Sequence, residues 1–90
     1  MFTLITPESF LKRAKKFLKK NPQLKPTLEK TLKVLIKDPF HPSLKLHPLK
    51  GKLADLYAIR LTFSYRITLT IEITEKEIIL IDIGSHDEVY

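Results

Sequence analysis

The chain has no cysteine and only two glycines in 90 residues. Without cysteine there is no disulfide and no thiolate metal site, and a reducing cytosol is the natural compartment, so a cytoplasmic protein is expected. Phosphate-loop glycines are absent, and no Gly-x-Ser-x-Gly elbow is present to carry a serine nucleophile. No apolar run approaches the roughly 18 residues that a membrane span needs, and Met1-Phe2-Thr3 lacks the basic lead of a secretory signal, so no membrane partner is expected. Acidic residues are scarce in one half only. Residues 1–52 hold thirteen Lys/Arg against Glu8, Glu29 and Asp38, a balance of +10, whereas residues 53–90 come to −4.

What is present fits one small globular unit. A chain of this length buries only about 60–65 % of the surface that its unfolded form exposes, too little to divide, so residues 1–90 read as a single domain. Its 43 % hydrophobic content lies inside the globular range. The basic first half suits a polyanion, although lysines also simply solvate helix surfaces.

Phe2, Leu4 and Ile5 read as a first strand, and Thr6 followed by Pro7 reads as a helix start with Thr6 as its cap. Phe10, Ala14, Phe17 and Leu18 then give one apolar stripe up to about Lys20, opposite an arc of Lys12, Arg13, Lys15, Lys16 and Lys19. Asn21-Pro22 breaks this helix. A second helix from near Pro26 carries Leu28, Leu32, Leu35 and Ile36 and stops at Asp38-Pro39, which predicts a helix hairpin. The stretch PFHPSLKLHPLKGK from Pro39 is expected to be an ordered loop.

Alternation marks the sheet: Tyr57, Ile59 and Leu61 on one strand, Ile67, Leu69, Ile71 and Ile73 on the next, and a doubly covered strand over Ile78 to Ile83. Placing Leu61 opposite Ile67 and Ile59 opposite Leu69 requires an odd loop at Phe63-Ser64-Tyr65. Arg60 then faces Thr68, Arg66 faces Thr62, and both arginines stand as diagonal neighbours on the face away from the helices. They are either ordinary solvated arginines or a pair waiting for an anion. The whole is an α+β chain of order β-α-α-β-β-β, an antiparallel sheet with the helix hairpin packed on one face, and the less covered face is where a ligand is expected.

His47 lies in a basic loop and His86 follows Gly84-Ser85. Histidine is the usual proton-transfer group near neutrality, although a lone histidine more often has no such role. His41, between Phe40 and Pro42, suits ordering of the loop. The three histidines stand six and thirty-nine residues apart, which matches no ligand spacing, so no metal and no other cofactor is expected. These residues permit RNA cleavage by its own 2′-hydroxyl. His47 and His86 would move the protons, Arg60, Arg66, Lys50 and Lys52 would hold the phosphate, and Tyr90 would stack on a base or position the phosphate.

The run HPLKGKLADLYAIRLTFSYRI, followed after one hairpin by IDIGSHDEVY, resembles the RelE/ParE toxin superfamily, and within it the YafQ-like mRNA interferase branch. The similarity extends from the first strand to Tyr90. It implies a RelE-like fold, a type II toxin silenced by a cognate antitoxin protein, and metal-independent endoribonuclease action on mRNA in translating ribosomes. Residue by residue, His47 matches a loop histidine of the YafQ-like group, His86 the histidine of its terminal GTH motif, and Tyr90 the aromatic that closes it. Arg66 matches a phosphate-contacting arginine of RelE proper; Lys45, Lys50 and Lys52, which gather charge in the loop, are taken as RNA-binding apart from the resemblance. Arg60 stands where the group has another histidine, Ser64 where it has an aspartate, and Gly84 where RelE has an arginine, which thins the acid/base set. The alternatives are a ParE-like inhibitor of DNA gyrase, or a catalytically weak RNA-binding member of the family.

Overall fold

Helix α1 (Glu8–Lys20) buries Phe10, Ala14 and Phe17, residues spaced so that they share one side. Its first turn carries Glu8 and its last Lys19 and Lys20, which opposes the helix dipole at both ends. The N-cap is Pro7, not Thr6: Pro7 is extended at ψ 155, makes no side-chain cap, and its carbonyl takes the Leu11 N–H at 3.0 Å. Asn21 ends the helix by donating its backbone N–H to Phe17 O. A 3-10 turn over Pro22–Leu24 leads into α2 (Lys25–Lys37), where Pro26 lies in the first turn and needs no N–H. In this computed structural model, residues 1–51 and 55–85 are described, and among them no helix is long and apolar enough to cross a membrane.

Among the described residues the helices are accompanied by five strands, β1 (Thr3–Ile5), β2 (His47–Pro48), β3 (Tyr57–Arg60), β4 (Tyr65–Glu72) and β5 (Glu77–Ser85), in the sheet order β1-β5-β4-β3-β2. The α+β class stands, but the sheet is mixed where an antiparallel one was expected, because β1 pairs in parallel with the start of β5. Thr3 N–H reaches Lys76 O at 2.7 Å and Phe2 N–H reaches Ile36 O at 2.8 Å, so β1 is clamped between the turn before β5 and the last turn of α2. The expected loop after Pro39 is ordered, with a 3-10 turn at Pro42–Leu44, and it also supplies the short edge strand β2.

The core joins Phe10, Phe17, Leu28 and Leu35 to Ile59, Ile67, Leu69, Ile78, Leu80 and Ile83. Alternation along the strands sends their neighbours to the far face. That face is not bare, since Ala58 and Thr68 are also buried. Between β4 and β5 the register shifts after Thr68: Thr68 pairs with Asp82 and Leu69 with Leu80, which leaves Ile81 as a bulge.

The β3–β4 register differs from the expected one by two residues. Ile59 faces Ile67, and Arg60 faces Arg66 directly. The odd loop and the assignment of faces survive a shift of two, but the turn centres on Phe63 rather than Ser64. Tyr65 is drawn into β4 because its ring meets Phe17 edge-on at 4.9 Å and its hydroxyl donates to Asn21 Oδ1 at 3.3 Å. The turn then closes at Thr62, with Leu61 N–H on Tyr65 O at 3.0 Å.

Candidate functional site

Cross-strand partners share a face, so the register assembles the far side of the sheet row by row. One row of paired residues runs His47, Ala58, Thr68, Asp82, with the Asp82 side chain, beside the bulge, turned to Arg13 of α1, and the next runs Arg60, Arg66, Gly84. His47 and Arg60 are thus diagonal neighbours across β2 and β3, about 7–8 Å apart at that position. Ala58, between His47 and Thr68, has the smallest side chain of its row and is fully buried.

His47 is held by its own loop. Nδ1 lies 2.9 Å from Lys45 O, and since a carbonyl only accepts, Nδ1 carries the proton and the neutral ring has its lone pair on Nε2. Lys45, at φ 49, is the left-handed residue that turns its carbonyl back to that ring. His41 adopts the opposite arrangement: its Nδ1 accepts from Ser43 N–H at 3.1 Å and so caps the 3-10 turn. Lys45 and Lys50 are exposed on either side of His47–Pro48.

Two guanidinium groups placed face to face repel. Here each is drawn to a different partner. Arg66 Nη1 donates to the carbonyls of Thr62, Phe63 and Tyr65 at 2.9, 3.2 and 3.2 Å, fastening the turn from beneath. Arg60 lies over the Phe63 ring at 5.9 Å from its centre. The contacts of Arg66 all use Nη1, so Nη2 and Nε still point their N–H groups elsewhere.

The structure therefore puts His47, Arg60 and Arg66 on one face, with Lys45 and Lys50 at its edge. Lys52, His86 and Tyr90 lie outside the described residues; the last described residue of β5, Ser85, pairs with Tyr65. No group of three or more His, Asp or Glu able to hold a metal occurs among the described residues. Sequence reasoning missed Phe63, 83 % exposed at the turn. Its signal was a large apolar residue in the loop itself, where neither strand face could bury it. A second feature also went unread: a cleft of about 370 Å³ at the end of α1, whose walls include Arg13, Lys16, Lys20, Tyr65 and Asp82.

No family model and no curated protein sequence matches the chain. Solved structures do. A metal-bound toxin from Helicobacter pylori is 33 % identical, with 100 % of each chain covered and a TM-score of 0.80. YafQ from E. coli strain BL21(DE3) has the same fold at a TM-score of 0.80 and 15 % identity, over 100 % of this chain and 99 % of that one. YafQ in the E. coli DinJ–YafQ complex superimposes with a TM-score of 0.78 at 15 % identity, over the same shares of the two chains. With a sequence relative that spans it completely and a fold common to these proteins, the chain belongs to the RelE/ParE superfamily of toxins and is YafQ-like in structure.

Proposed function

We propose that this toxin is a ribosome-dependent mRNA endoribonuclease of a type II toxin–antitoxin system. The observation that carries the reading is the register, which gathers an imidazole and two guanidinium groups on one sheet face. The 2′-hydroxyl of the substrate loses its proton to a histidine and its oxygen attacks the adjacent phosphorus. The 5′-oxygen of the next nucleotide leaves and takes a proton from a second group, which yields a 2′,3′-cyclic phosphate and a free 5′-hydroxyl. His47, whose Nε2 bears the lone pair, and His86 share these two transfers. Charge building on the equatorial oxygens is met by Arg60 and by the remaining N–H groups of Arg66.

Lys45, Lys50 and Lys52 extend the positive field along the RNA, and Tyr90 stacks on a base or positions the phosphate. The antitoxin is a separate protein, as DinJ is to YafQ in their complex. The cytoplasm, where translating ribosomes are, is the site of action.

The test is a cell-free translation reaction in which the 5′ ends of cut transcripts are mapped. Wild type cuts, and His86→Ala or His47→Ala slows cutting by about 10²- to 10⁴-fold, the usual worth of a positioned acid or base. Intact transcripts with the wild type, accompanied by loss of gyrase supercoiling, would replace this reading with the ParE-like one.

A further inference from the structure

Phe63 has no part in moving protons or holding phosphate, yet its surroundings hold it firmly. The ring is 83 % exposed, so it contributes little to the core. The backbone beneath it is fixed on three sides: by the Arg66 guanidinium on the carbonyls of Thr62, Phe63 and Tyr65, by Ser64 N–H on Thr62 Oγ1 at 3.2 Å, and by Tyr65 N–H on Thr62 O at 3.4 Å. Arg60 backs one face of the ring. The other side is left to water. Arg60 also borders a shallow recess of about 190 Å³ lined by Lys30, Thr31 and Ser43 together with the apolar Val34, Leu44 and Leu61.

A protein partner recognises an exposed phenylalanine as one member of an apolar patch. Its chain neighbours Thr62 and Ser64 and the Arg60 guanidinium over its ring are polar or cationic. A flat π surface with guanidinium groups on its flank fits a ligand that is itself flat in one part and anionic in the next, which is a single-stranded nucleic acid with its bases unstacked. We propose that Phe63 stacks on the nucleobase beside the scissile phosphate and thereby sets which nucleotide is preferred at that position. This deepens the nuclease reading and rests on it. A hydrocarbon ring offers no hydrogen bonds, so the preference follows stacking strength, purines ahead of pyrimidines, rather than a base-edge code.

The experiment measures binding of a short single-stranded 2′-O-methyl RNA, which cannot be cut, to wild type, Phe63→Leu and Phe63→Trp. Leucine keeps the apolar bulk and loses the π face. Affinity is expected to fall roughly 5- to 100-fold for Phe63→Leu, the usual worth of one stacked base, and to return with Phe63→Trp. Removing the base at one position of the RNA should erase the difference between wild type and Phe63→Leu, while thermal unfolding of the two proteins stays the same. In mapped transcripts Phe63→Leu should flatten the purine preference beside the cut.

The proposal is overturned if wild type does not bind the RNA, if Phe63→Leu binds as tightly, if no abasic position erases the loss, or if only antitoxin affinity falls. Should wild type cut transcripts while Phe63→Leu leaves binding and the map unaltered, the stacking contact fails and the nuclease stands. Should the abasic comparison hold while wild type leaves transcripts intact, the nuclease fails and the base contact stands.

Discussion

Thr68 occupies the middle of the row that begins with His47, and its hydroxyl is buried without a hydrogen-bond partner. A buried hydroxyl left unpaired costs about 1–3 kcal/mol, and valine has nearly the same shape. Thr68→Val is therefore expected to stabilise the protein by about 1 kcal/mol and raise its thermal midpoint by about 4–8 °C. Calorimetry decides it, and an unmoved or lowered midpoint would count against the reading. Much at this scale was visible in the sequence. The flanking residues marked His41 as the one that orders its loop, and it caps a turn, whereas the place of His47 in an edge strand was hidden behind a stretch read as loop. The destination of the Arg66 side chain was not visible, because carbonyls have no letter in a sequence and converge on Nη1 only once the turn exists.

The β3–β4 hairpin shows what strand patterns can and cannot specify. Alternation fixes parity, so both arginines were assigned together to the positions that alternate with Ile59 and Ile67, although Arg60 also borders a recess lined by Lys30 and Thr31 of α2. Alternation is blind to a shift of two, and here the choice was made by Tyr65, whose contacts lie on α1 and at Asn21, more than forty residues away in the chain. Helix ends were legible because proline acts locally: Pro22, Pro26 and Pro39 mark the boundaries directly. The parallel pairing of β1 was not legible, since three residues carry no sign of direction. The hairpin also yields a prediction. Arg66→Ala removes the N–H donors that serve three turn carbonyls, and urea unfolding should show a loss of about 1–3 kcal/mol. Arg66→Lys should recover only part of it, because one ammonium cannot reproduce a planar fork. Full recovery by lysine would mean that the charge alone matters.

Across the whole molecule the formal net charge of +6 is polarised along the chain, and folding partly reverses that division. Arg13 of α1 donates to Ile81 O at 3.0 Å and lies 3.9 Å from Asp82, so the bulge of the acidic half is held by the basic half. On the nuclease reading, cations outside such pairs meet the RNA backbone. If Lys45 and Lys50 each meet a phosphate, their replacement by glutamine should flatten the dependence of log affinity on log salt by about 0.7 per contact for single strands. Lys76→Gln should leave the slope alone, because Lys76 lies in the turn between β4 and β5, at the opposite end of the hairpins from Phe63. Equal changes at all three lysines would point to a general field rather than a tracked backbone.

Strand β5 has β1 on one side and β4 on the other. A ribosome that has made only the first seventy residues or so holds an α1 without the central strand it packs on, and Phe10 and Phe17 stay partly wet until β5 emerges. Arg60 and Arg66 likewise lack a settled platform before then. On the nuclease reading, synthesis is its own safety interval: a half-made copy cannot injure the machine that is making it.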